Sequence, residues 1–130
     1  MNTTIIDECD KMSFADVPFP KTVARLIEAG VHSYHADLIG FRKMHYDAGT
    51  GAYETPMPLE PTRIGATFEE AAITGALRAI QHGDIGYTEF LRRIMAGGCA
   101  RYCVFIQGRK AIYFGRDGDF YVENFPGAKP

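Results

Sequence analysis

Apolar residues recur at helical spacing in four stretches of the chain and at alternate positions in six others. Ile5, Ile6, Cys9 and Met12 make one stripe on a first helix, with Thr4 as its expected cap. Phe14 to Phe19 breaks that helix. Pro20 suits the first position of a second helix, because its missing N–H would have no partner there. On that helix Val23, Leu26 and Ile27 are expected to face inward, and Gly30 is placed to end it.

From Val31 the period becomes two. Val31 to Leu38 and Arg42 to Tyr46 read as strands joined at Gly40-Phe41, where a leading glycine suits a type II′ turn. Ala52 to Glu54 reads as a third, short strand. The proline-rich run from Thr55 to Pro61 cannot be a central strand. Thr67 and Glu70 have the spacing of a capping box for a helix to about Gln81, ended by Gly83. A fourth helix buries Phe90, Leu91, Ile94 and Met95, and Gly97-Gly98 stops it. Ala100 to Ile106, Lys110 to Phe114 and Phe120 to Glu123 form a meander, with Gly108-Arg109 in its first turn and Asp117-Gly118 in its second.

The two halves echo each other. A shift of 68 residues lays Arg25 on Arg93, Gly30 on Gly98, Tyr34 on Tyr102, Gly40 on Gly108 and Arg42 on Lys110. One residue of slip in the following loop then lays Gly51 on Gly118 and Tyr53 on Phe120. The expected fold is α+β: two helix-plus-β-meander units, either an internal duplication or two copies of one convenient unit, forming antiparallel sheet with helices packed on it.

A chain of 130 residues suits a single domain spanning 1–130. Its net charge of −2 argues against nucleic-acid binding, although the sign is uneven. Residues 1–86 hold 7 basic and 12 acidic groups, and residues 87–130 hold 7 and 4. No apolar run approaches the ~20 residues of a membrane span, and the first residues lack the basic cluster of a signal peptide. The cytoplasm is the expected location. Cys9, Cys99 and Cys103 are odd in number and make no closed disulfide framework.

Alternation also sorts the candidate chemistry. Tyr34, Ala36, Leu38 and His45 share the expected core face with Tyr102, Val104, Ile106 and Tyr113. The opposite face carries Ser33, His35, Asp37, Arg42 and Met44 with Arg101, Cys103, Phe105, Ile112 and Phe114. Its mixture of apolar and polar groups suggests a face covered by a loop, a ligand or a partner. His32 and His35 point to opposite sides of a strand, so no metal is expected there, and no cofactor motif is present. His35 and Cys103 are equivalent under the echo and would approach each other if the two meanders adjoin. Asp37 and Arg42 flank one turn. The long connection from Asp47 to Gly65 has apolar anchors at Tyr53, Met57 and Leu59, as a lid would.

Gly86 to Leu91, Ala96-Gly97-Gly98, Arg25 to Val31 and above all Tyr113 to Glu123 resemble a family of small bacterial proteins of unknown function. Its members are sometimes labelled "phage envelope protein". The resemblance runs from about Pro18 to Phe125. It implies an α+β fold and little else, and it brings no catalytic residues with it.

With no catalytic constellation, the expected function is that of a non-catalytic accessory protein, homodimeric, binding a small polar ligand or a protein partner. His35, Asp37, Arg42, Tyr53 and Cys103 are the expected binding residues. The alternative is a small enzyme acting on a polar metabolite through His35, Asp37 and Arg42, with Tyr53 on a closing loop.

Overall fold

The computed structural model describes residues 1–60 and 62–125, so Pro61 of the proline-rich run and residues 126–130 lie outside the account that follows. Helices α1 (Thr3–Phe14) and α2 (Phe19–Glu28) precede strands β1 (Ser33–Asp37), β2 (Arg42–Tyr46) and β3 (Ala52–Pro56). Helices α3 (Glu70–Gln81) and α4 (Tyr87–Ala96) then precede β4 (Cys99–Phe105), β5 (Lys110–Gly115) and β6 (Phe120–Asn124). The six strands make one antiparallel sheet in the order β3-β2-β1-β4-β5-β6. The α+β expectation holds, and the two meanders join edge to edge through β1 and β4.

The join is a local two-fold. Across it Tyr34 pairs with Val104, His35 with Cys103 and Ala36 with Tyr102. His35 and Cys103 are 68 residues apart, so each echo-equivalent residue faces the other and the axis passes between them. The loop slip expected from the sequence does not occur. Ala52 to Pro56 maps onto Phe120 to Asn124 at the same shift of 68, and Tyr53 therefore corresponds to Tyr121. The odd residue lies between the paired helices instead, because α1 maps onto α3 with a shift of 67. Loop contacts follow the symmetry as well. The N–H of Asn2 donates to Ala29 O, and that of Glu69 donates to Gly97 O.

Several local expectations are corrected. Asn2 caps α1 in place of Thr4, which lies inside the helix: the Asn2 side-chain oxygen accepts the N–H of Ile5 at 3.2 Å. Pro20 is the second residue of α2, since the helix opens at Phe19. Ile27 is 58% exposed, and Thr22 and Leu26, four residues apart, form the inward line in its place. The capping box at Thr67 and Glu70 does not form. Glu69 occupies the cap position without a side-chain bond, and its N–H is taken by Gly97. The β1–β2 connection is no type II′ turn, because the left-handed residue is Phe41 (φ 55°) and not Gly40. Asp37 decides this: its carboxylate accepts the N–H groups of Ile39 and Gly40, both at 2.9 Å, and builds a longer turn. The Asp117-Gly118 hairpin turn forms as expected, with Gly118 at φ 89°.

The core lies between the helices and one sheet face. Ile6, Cys9 and Leu26 from the first helix pair meet Tyr34, Ala36 and Leu38, and Ile73, Leu91, Ile94 and Met95 from the second meet Tyr102, Val104 and Tyr113. Phe90 stands edge-on to Tyr113 with ring centroids 6.2 Å apart. Asp16, in the α1–α2 loop, accepts the N–H of Tyr87 at 3.0 Å and so caps the helix of the other half.

Candidate binding face

Because successive side chains point to opposite sides of a strand, burying Tyr34, His45, Val104 and Tyr113 turns their neighbours outward. Among the described residues no element covers that outward face. Its middle row runs Glu54, Met44, His35, Cys103, Ile112 and Val122 from β3 to β6. One flanking row holds Tyr46, Ser33, Phe105 and Lys110, and the other holds Arg42, Asp37, Arg101 and Phe114. Phe120, at the edge, is 61% exposed. Met44, Phe105, Ile112, Phe114 and Val122 are half-buried by their neighbours alone. The face has an apolar diagonal with charged corners.

Four of the five expected binding residues lie on it. His35 and Cys103 face each other at its centre. The His35 Nδ1 is 3.4 Å from the Tyr46 hydroxyl, and the two rings are tilted at 5.7 Å. Burial pushes the Cys103 thiol up against the pull of Arg101, so it stays protonated at neutral pH and is not an activated nucleophile. Asp37 is 3.6 Å from Arg42, which also lies 3.5 Å from Glu54. Partial burial works to raise the Asp37 pKa. The N–H groups of Gly40 and Ile39, with Arg42 and Arg101, outweigh it and hold the carboxyl below its usual range.

Tyr53 is not brought to the others. It pairs with His45 across β2 and β3, shares the helix side of the sheet, and donates its hydroxyl to Asp7 of α1 at 2.9 Å. The connection after β3 also lies on the helix side, where Gly65 N–H donates to Met95 O and Met57 and Ile64 are buried. The sheet therefore separates both from His35, Asp37 and Arg42.

A polar cluster under α1 escaped the sequence reading. Lys43 is 4% exposed, with its ammonium 4.8 Å from the ring centre of Tyr87, 5.6 Å from that of Tyr34 and 5.7 Å from that of Phe14. Asp10 Oδ1 lies 3.5 Å away. Burial alone draws the Lys43 pKa down, and Tyr87 and Asp10 more than restore it, so the group is charged. Beside it His45 is 1% exposed, its Nδ1 3.2 Å from Tyr53 O. Tyr87 and Tyr102 share a hydroxyl–hydroxyl hydrogen bond. The signal was present: residues 43 and 45 alternate with outward Met44, so Lys43 had to point inward. The second half has Ala111 and Tyr113 at these two places.

A small antiparallel α+β unit with a repeated helix pair and meander defines the class. The sequence matches the family described as "Protein of unknown function (DUF1398)" over residues 10–124, and the chain belongs to that family. It is also similar to the uncharacterized proteins Rv2012 of Mycobacterium tuberculosis (strain ATCC 25618 / H37Rv) and Mb2035 of Mycobacterium bovis (strain ATCC BAA-935 / AF2122/97). Each is 33% identical over 63 residues, which is 48% of this chain and 38% of the relative. The match thus spans well under half the length of those relatives. A family of unknown function was expected from the sequence, and the matching family is one of unknown function; the phage envelope label is not shown. No described helix is long and apolar enough to cross a membrane.

Proposed function

We propose that this protein is a non-catalytic binding or accessory protein that works as a homodimer through the open face of its sheet. The observation that carries this is the uncovered diagonal of Tyr46, Met44, Phe105, Ile112, Phe114 and Phe120 on a sheet whose helices all lie on the other side. Six strands of five to seven residues span about 29 Å by roughly 17–23 Å, and side-chain relief brings that area toward the ~800 Å² each partner gives to a stable interface.

A second copy is the occupant that suits the charges. Two such faces pack as aligned sheets, with a two-fold axis close to the strand direction. Each strand then lies over its echo-equivalent in the other copy. Asp37 meets Arg101 of the second copy, Arg42 meets Phe114, and Met44 meets Ile112. An axis across the strands would instead set Glu54 against Glu54 at the interface edge, which like charges disfavour.

Size-exclusion chromatography with light scattering tests the reading on wild type and Phe114→Asp. The expected result is a two-chain mass for wild type and a one-chain mass for the variant, with both folded by circular dichroism. A one-chain wild type at all concentrations refutes the dimer.

A further inference from the structure

We propose that His35 and Cys103 are half of a tetrahedral site for a soft divalent cation, zinc in the first instance, completed by the same two residues of a second copy. This rests on the face-to-face dimer above.

Four features of the geometry support it. First, the two residues are direct partners across antiparallel β1 and β4. Their Cβ atoms are therefore roughly 4.5–5.5 Å apart, and an imidazole and a thiol so placed can share one ion. Second, the Tyr46 hydroxyl at 3.4 Å from His35 Nδ1 orients the ring and leaves Nε2 to coordinate, as an outer-sphere partner does in metal sites. Third, the pair lies on the local two-fold at the centre of the face. In a dimer with its axis along the strands, His35 lies over Cys103 of the second copy, and Cys103 over its His35. Two cysteines and two histidines then converge at one point. Fourth, the spacing suits zinc. Aligned sheets lie ~10 Å apart, and two Zn–S bonds of ~2.3 Å with two cysteine side chains account for about that distance.

Among the described residues no group of three or more His, Cys, Asp or Glu comes together to hold a metal within one chain. The site is incomplete without the second copy. Two thiolates and two imidazoles select zinc over magnesium or calcium, which prefer oxygen ligands. On binding, each Cys103 thiol loses its proton to solvent and the sulfur forms a bond to the metal, so two protons leave per ion and affinity rises with pH.

The test is a titration of metal-free protein with zinc and with cobalt(II), followed by native mass spectrometry and absorption. The expected result is one metal per two chains, with thiolate-to-cobalt charge-transfer bands and the d–d bands of a tetrahedral site. Cys103→Ser and His35→Gln should each weaken binding roughly 100-fold, with fold retained by circular dichroism. Cys9 and Cys99 are buried, so loss of the bands in Cys103→Ser assigns them to Cys103. A two-chain species that takes up no metal, or one metal for every chain, overturns the shared site and leaves the dimer standing. A one-chain mass with and without zinc overturns the dimer and the shared site together.

Discussion

Phe41 and Arg109, 68 residues apart, hold the same left-handed backbone, with φ of 55° and 57°. Each carbonyl accepts the N–H of the residue that follows the meander's third strand, Met57 for Phe41 at 2.8 Å and Phe125 for Arg109 at 2.9 Å. The two units thus share a strained turn, and the strain is tied to closing the end of the sheet.

The turns separate backbone strain from side-chain packing. Arg109 is exposed, so Arg109→Gly relieves a left-handed cost of ~1–2 kcal/mol against an entropic loss of ~0.5–1 kcal/mol. Net stabilisation of about 0.5–1 kcal/mol is expected in urea denaturation. Phe41 packs against the core, so Phe41→Gly should destabilise by about 2 kcal/mol despite the same backbone relief. Equal effects at the two sites would contradict this account.

Lys43 is the buried cation of the fold, and Asp10 is its carboxylate partner. Asp10→Ala leaves the ammonium among aromatic faces without a counter-charge and is expected to cost about 3 kcal/mol. Lys43→Met removes the charge while keeping the shape, and should cost clearly less. The order matters more than the sizes: a Lys43→Met variant less stable than Asp10→Ala would mean that the cage around the ammonium outweighs the ion pair.

His45 makes stability depend on pH in a defined window. Burial lowers its pKa, while Asp10, the Tyr53 carbonyl and Asp7 act to raise it and Lys43 adds to the lowering. The folded state therefore favours the neutral ring. Above an unfolded pKa of ~6.5 both states are neutral and nothing is lost. As pH falls below that value the unfolded chain takes up a proton that the native state refuses, and stability declines by at most about 1.4 kcal/mol per pH unit until the folded pKa is reached. His45→Gln should flatten the slope between neutrality and mild acid. The depressed carboxyls of Asp37 and Glu123 act lower, below about pH 4.5, where their unfolded counterparts begin to protonate. Identical slopes in wild type and His45→Gln would exclude His45 as the source.

Much of this fold was legible because the strands alternate so regularly. The division of His35, Met44, Cys103 and Ile112 from Tyr34, His45, Val104 and Tyr113 follows from parity alone and is what the structure has. The same parity applied to Tyr53, opposite His45, would have moved it to the helix side, and applied to Lys43 would have exposed the buried cluster. What could not be read were local competitions decided by tertiary bonds. Asp37 takes the N–H groups of Ile39 and Gly40 and builds a longer turn, and the bond from the Glu69 N–H to Gly97 O fixes Glu69, not Thr67, at the start of α3. Edge-to-edge joining of the meanders was likewise invisible, because β1 and β4 are equally apolar on their core side whether or not they pair.

The most direct measurement is an isotope-filtered NMR experiment on a mixture of labelled and unlabelled protein, reading contacts between the Met44 and Ile112 methyl groups. Within one chain these residues lie on β2 and β5, three strand spacings or ~14 Å apart, too far for an observable contact. The account predicts an intermolecular Met44–Ile112 signal. A dimer whose intermolecular signals arise only from helix residues, or a mixture with none at all, would contradict it.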